Sequence, residues 1–184
     1  MIPRTSTFAL ALSFVAAACG GGTEASPPPA APAAPAAPEV AARVLTSDPG
    51  DGIAVLAAKQ DGPQDRVLVH GRIAATVKGR AAFTLMDTRL PYCGEVQKED
   101  TCKTPWDYCC EKASTRTEHA LAVELRSADG KVLATPSLPD LRLLDEVDVV
   151  GKLSKDEHGN FVLAAEGVFR TARPNLPSDL RWPQ

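Results

Sequence analysis

An all-β domain of five short strands is what this sequence predicts, and three observations predict it. Apolar and polar residues alternate along several runs between residues 64 and 170, the pattern of half-buried strands. Turn pairs such as Lys78-Gly79 and Asp129-Gly130 separate those runs. The first run reads V-x-V-x-G-x-I (residues 67–73) and the fourth V-x-V-x-G-x-L (residues 147–153), with glycine in the same place. Glycine inside a strand marks a bulge or sharp bend, the device by which a small sheet curls into a barrel.

The elements follow in order. Residues 47–60 open with Ser47-Asp48-Pro49-Gly50-Asp51-Gly52, which predicts a capped helical turn or two leading into the domain. In the first strand Val67, Val69, Gly71 and Ile73 face one way, with Leu68, His70 and Arg72 between them. The second strand is 82–87 and the third 119–126, with Leu121, Val123 and Leu125 on one face. The fourth, 147–153, is followed by the polar turn 156–160, and the fifth is 161–169. Bent first and fourth members among five strands resemble the OB-fold, a Greek-key barrel, over about residues 64–170. The stretch V-x-V-x-G-x-I…F-x-L-x-D at 67–87 is the most specific part of that resemblance. The usual helix between strands three and four has only residues 136–145 to occupy, and their prolines allow a turn at best.

The N-terminus carries an address. Arg4 precedes an apolar stretch, residues 8–18, too short to span a bilayer and fitting a signal peptide over 1–18. It ends in Val15-Ala16-Ala17-Ala18-Cys19, which resembles the lipobox of bacterial lipoproteins, with Ala16 where leucine is usual. The resemblance implies lipidation at Cys19 and a membrane as partner. Gly20 resembles the signal for an outer-membrane destination facing the periplasm. Residues 27–38 are Pro or Ala without exception, which predicts an extended spacer within a 19–46 linker. The domain is then expected over 47–170 and a tail over 171–184.

With Cys19 set aside, Cys93, Cys102, Cys109 and Cys110 remain, all within residues 90–118, a stretch too long for a hairpin loop between strands two and three. The block Thr104-Pro105-Trp106-Asp107-Tyr108-Cys109-Cys110 is similar to one in uncharacterised secreted bacterial OB-like proteins and implies no activity. Two readings of the thiols compete. Two disulfides would staple the insertion, pairing Cys93 with Cys109 and Cys102 with Cys110, or Cys93 with Cys110 and Cys102 with Cys109. Alternatively the four thiols, or three of them with His119, would hold Zn or Cu. Catalytic thiol exchange has little support, since no C-x-x-C is present.

A net charge of −3 from 20 basic and 23 acidic residues argues against nucleic acid as a partner of the whole chain. Locally, Arg66, Arg72, Lys78, Arg80 and Arg89 face Asp87 alone across residues 66–90, the best argument for an anionic ligand. Candidate ligand-binding residues are Arg72, Arg80, Phe83, Trp106 and Tyr108. Neither His70 nor His158 pairs with a serine or carboxylate in a recognisable motif, and no phosphate loop, H-E-x-x-H or G-x-S-x-G occurs. The expectation is a tethered, non-catalytic binding module for a small ligand or an envelope partner, without a cofactor unless the thiols bind metal.

Overall fold

A computed structural model describes residues 37–96 and 104–175. The expected signal peptide, Cys19 and most of the expected linker lie outside the described residues, as do Cys102 and the end of the tail. Within them, no helix is long and apolar enough to cross a membrane.

In chain order the elements are α1 (Pro38–Ala41), β1 (Ile53–Ala54), α2 (Val55–Asp61), β2 (Gln64–Thr76), β3 (Ala82–Met86), α3 (Cys93–Val96), α4 (Ala113–His119), β4 (Ala120–Leu125), β5 (Glu146–Lys155) and β6 (Phe161–Ala172). Five of the strands close a barrel in the order β2-β3-β4-β6-β5, with β5 returning to β2. All the pairings within the barrel are antiparallel except β4 with β6, and β1 adds a two-residue parallel pairing beside β2. This is the all-β, OB-like barrel that the alternation predicts. Val69, Ile73, Leu85, Val149 and Leu163 are fully buried at its centre, each worth about 1.5–3 kcal/mol in apolar burial.

The two glycine-bearing repeats pair with each other. β2 and β5 run antiparallel with Val69 opposite Val149, Gly71 opposite Val147 and Val67 opposite Gly151. A side chain at Gly71 would sit 2.6 Å from Leu85 and 2.9 Å from the Met86 carbonyl. One at Gly151 would run into the Ala164 carbonyl, beside the register shift between β5 and β6. The glycines are where neighbouring backbones must come closest for the barrel to close.

No helix joins β4 to β5, as the prolines imply. The core takes Val55 and Ala58 from α2 instead. The run 47–52 does not cap that helix: its first residue follows Ala54, which has no side-chain acceptor. Asp87, just past β3, accepts the Leu56 N–H at 2.9 Å in its place. At the far end, Lys59 Nζ donates to the carbonyls of Thr117, Glu118 and Ala120 at 2.9, 2.7 and 2.9 Å. That grip ties α2 to α4, a helix with no buried residue of its own.

The packed part of the chain begins before residue 47. Val40 of α1 is wholly buried, and residues 43–45 bond to β6 through Leu45 N–H to Val168 O and Val168 N–H to Arg43 O, both 2.8 Å. Pro38 stands at the start of α1, where its fixed φ suits a helix and its missing N–H costs nothing. Residues 38–45 therefore pack on the barrel, within the 19–46 stretch expected as linker. At the other end β6 extends past 170 to Ala172. Arg173 then clamps the fully buried Asp145, with Nε at 2.7 Å and Nη2 at 2.6 Å from its two carboxylate oxygens.

Candidate functional site

The connection from β3 to β4 is built against the barrel by two apolar anchors and a backbone clasp. Tyr108 is buried with Met86 and Leu90, and Tyr92, Ala74 and Ala120 pack around them. The Cys93 N–H donates to Asp107 O at 2.8 Å and the Gly94 N–H to Pro105 O at 2.7 Å. A side chain at Gly94 would meet Pro105 at 3.0 Å, so glycine permits this approach. The turn that carries Pro105 closes through Asp107 N–H to Thr104 O at 2.9 Å.

The clasp brings three sulfurs together. Cys93 Sγ lies 3.3 Å from Cys109 Sγ and 3.5 Å from Cys110 Sγ, and all three fall within 4.8 Å of one another. These separations exceed the roughly 2.05 Å of a disulfide. They fall a few tenths of an ångström short of the ~3.7–4 Å that separates thiolates about 2.3 Å from a shared zinc-sized ion, so a small outward shift of the sulfurs would admit one. Cys93 is buried while Cys109 and Cys110 are exposed, so the group is closed behind and open in front. Among the described residues no histidine or carboxylate joins it. His119, expected as a substitute ligand, is not part of the group; its Nδ1 is buried without a hydrogen-bond partner. Because Cys93 reaches both neighbours almost equally, the geometry favours neither of the two expected disulfide pairings.

The thiols do not share charge evenly. Burial alone would raise the Cys93 thiol, but the Cys110 and Cys109 amides and both neighbouring thiols hydrogen-bond its sulfur and carry it below the ordinary thiol range. Cys109, bonded to Cys93 and facing its charge, is pushed up to about 12. One negative charge at Cys93 thus opposes a second beside it, and a cation would relieve that opposition.

The expected ligand-binding residues do not gather here. Arg72 is buried, its guanidinium 2.9 Å from Glu146 and 3.3 Å from Glu95, with the Tyr92 ring centroid 5.0 Å away. The Tyr108 hydroxyl reaches toward that guanidinium without good hydrogen-bond geometry, and burial raises its phenol more than the Arg72 charge lowers it. Tyr108 is an anchor, not a ligand platform. Phe83 is likewise core, at 2% exposure, because its side of β3 faces the barrel interior. Trp106 is half-buried on the turn beside the clasp. Arg80 belongs to the β2–β3 turn, at the end of β3 away from the sulfurs, where it bridges to Ala134.

The basic run 66–90 is paired in part. Arg66 pairs with Glu166 at 2.7 Å, Arg89 with Asp87 at 2.8 Å, and Arg72 with its two glutamates. Carboxylates from distant segments pair two of the five cations, Arg66 and Arg72, and the local Asp87 pairs Arg89, which reduces the local excess that suggested an anionic ligand.

One pairing escaped motif reading. His70 Nδ1 lies 2.9 Å from Asp148 Oδ1, on neighbouring strands, so His70 is no free surface histidine. Burial holds the Asp148 carboxyl above its ordinary range; His70 pulls it down, and Asp48 and Asp51 push it up. A signal existed: pairing the two V-x-V-x-G repeats about Val69 and Val149 sets His70 opposite Asp148 and Arg72 opposite Glu146.

No protein-family model matches the chain, and no curated protein is similar to it. Its functional reading rests on the residues just described.

Proposed function

We propose that the chain is an envelope lipoprotein, held to a bacterial membrane through Cys19 with the outer membrane favoured, whose OB-like domain is a non-catalytic binding module for a small ligand. The observation that carries the reading is the sulfur group: one buried and two exposed Sγ atoms converge where the β3–β4 connection docks on the barrel. Among the described residues the neighbours of Cys93 are two thiols and backbone amides, a set suited to holding a ligand, with no imidazole or carboxylate of the kind that proton transfer uses. The Pro/Ala run at 27–38 supplies the spacer that such a tether needs.

Two measurements test it. Cys19→Ser is expected to move the protein from the membrane fraction to the soluble fraction, and unchanged membrane association refutes the anchor. For binding, thermal melts of the reduced full chain in detergent are compared with Cu(I), zinc sulfate, an oligothymidine and an acidic oligosaccharide. A ligand present at 100 times its Kd stabilises the fold by about 2.7 kcal/mol, so a genuine ligand shifts the melt by several degrees. A melt that none of these probes moves overturns the reading for the ligand classes that they represent.

A further inference from the structure

We propose that Cys93, Cys109 and Cys110 form a three-thiolate site for a soft d10 cation, taking Cu(I) in preference to Zn(II). This rests on the binding-module reading above and names its ligand. Three features of the site point there.

First, Cys93 Sγ is nearly equidistant from the other two sulfurs, at 3.3 and 3.5 Å. A disulfide at Cys93 would take one of these two and leave the other to Cys102, whereas an ion at the common centre uses all three sulfurs already gathered. Second, the donor set is sulfur alone: no histidine or carboxylate joins it among the described residues. Among the described residues the group offers three donors; structural zinc sites want four in a tetrahedron, while soft thiolates suit Cu(I), which accepts three. Third, the group is held in place. Cys93 is fixed by its N–H bond to Asp107 O, and the neighbouring Gly94 N–H bonds to Pro105 O. Tyr108, which directly precedes Cys109 and Cys110, is buried in the apolar cluster with Met86 and Leu90. The ion would approach from the exposed side, where Cys109 and Cys110 stand. On binding, each thiol that becomes a ligand gives its proton to solvent, and no electron moves.

The test titrates the full chain, reduced and kept under nitrogen in detergent, with Cu(I) against a competing chromogenic chelator and, separately, with zinc sulfate. Native mass spectrometry counts the ions bound. Expected are one Cu(I) per chain, thiolate-to-copper absorption in the ultraviolet, and no displacement by equimolar zinc. Cys109→Ser and Cys110→Ser should each weaken Cu(I) binding by more than about 100-fold while the metal-free melts stay unchanged, because both side chains are exposed. Wild-type affinity in both variants overturns the site, as does zinc binding as tightly as Cu(I). A chain that carries two disulfides which cannot be reduced without melting the barrel overturns it too. If Cu(I) fails but the oligothymidine or the oligosaccharide shifts the melt, the metal site falls and the binding module stands. If every probe fails, both fall.

Discussion

Replacing Asp87 by asparagine tests how the barrel and its leading helix are joined. The Asp87 side chain has no exposed area, and its two oxygens accept four hydrogen bonds. Oδ1 takes the Arg89 N–H at 3.0 Å and Arg89 Nε at 2.9 Å; Oδ2 takes the Leu56 N–H at 2.9 Å and Arg89 Nη2 at 2.8 Å. Burial alone would raise this carboxyl, but Arg89 and the two backbone amides outweigh it and lower it from 3.8 to about 2. A carboxylate whose folded value is depressed by that much contributes about 2 kcal/mol at neutral pH. The contribution is complete above the unfolded value near 3.8 and is lost as pH falls through about 2.

Asp87→Asn has the same size but no charge, and its amide nitrogen cannot accept. It should therefore cost about 2 kcal/mol at pH 7, or roughly 4–8 °C in Tm. The gap between wild type and variant should hold from pH 7 to 5, shrink to about half near pH 3 and be nearly closed at pH 2. Urea unfolding followed by far-ultraviolet circular dichroism at each pH measures it. A gap that stays constant from pH 6 to pH 3, or one below about 0.5 kcal/mol at pH 7, refutes the assignment of the helix cap to Asp87.

Three further outcomes follow from the same structure. Gly151→Ala drives a methyl into the Ala164 carbonyl and should lower the unfolding free energy from urea denaturation by about 1–3 kcal/mol; an unchanged value would show that the β5–β6 shift tolerates a side chain. Lys59→Met leaves three carbonyls at the end of α4 without their donor. Hydrogen exchange over residues 113–119 should quicken about 10-fold, and exchange at the wild-type rate would mean that α4 holds itself. Arg173→Ala leaves the buried Asp145 charge with the Arg142 N–H at 3.0 Å and without its close cation, and should cost about 2–3 kcal/mol, since Arg173 is itself partly solvated. Arg142→Ala, whose Nε is 3.8 Å from the same carboxylate, should stay within about 0.5 kcal/mol in the same denaturation assay.

The strands were legible because a small barrel has one wet face and one dry one, and Val67, Val69, Leu121, Val123 and Leu125 keep that period without interruption. The glycine repeat foretold closure for the same reason: only glycine fits where Gly71 and Gly151 meet a neighbouring backbone. α4 was not legible. Its sequence, Ala113 to His119, has no apolar stripe, and it is held by a lysine more than fifty residues upstream. The candidate site was half legible. The cysteines announced themselves, but nothing local said that Cys93 would be buried and its two partners exposed. Phe83 and Tyr108 looked like ligand platforms because an aromatic beside charges reads the same on either face of a strand. The basic run overstated the local charge because the countercharges Glu95, Glu146 and Glu166 are supplied by other elements. Ion pairing across strands is invisible until register is known, although here the repeat contained the register.

The seam between residues 43–45 and β6 has a mechanical consequence. Any load drawn through residue 37 enters the fold at Val168, across two backbone hydrogen bonds and the burial of Val40. The barrel behind that seam is a closed ring whose strands are each bonded on both sides. The seam is thus expected to yield before the ring under tension, freeing residues 38–45 as slack while the closed strands, with their sulfur group, stay unstretched.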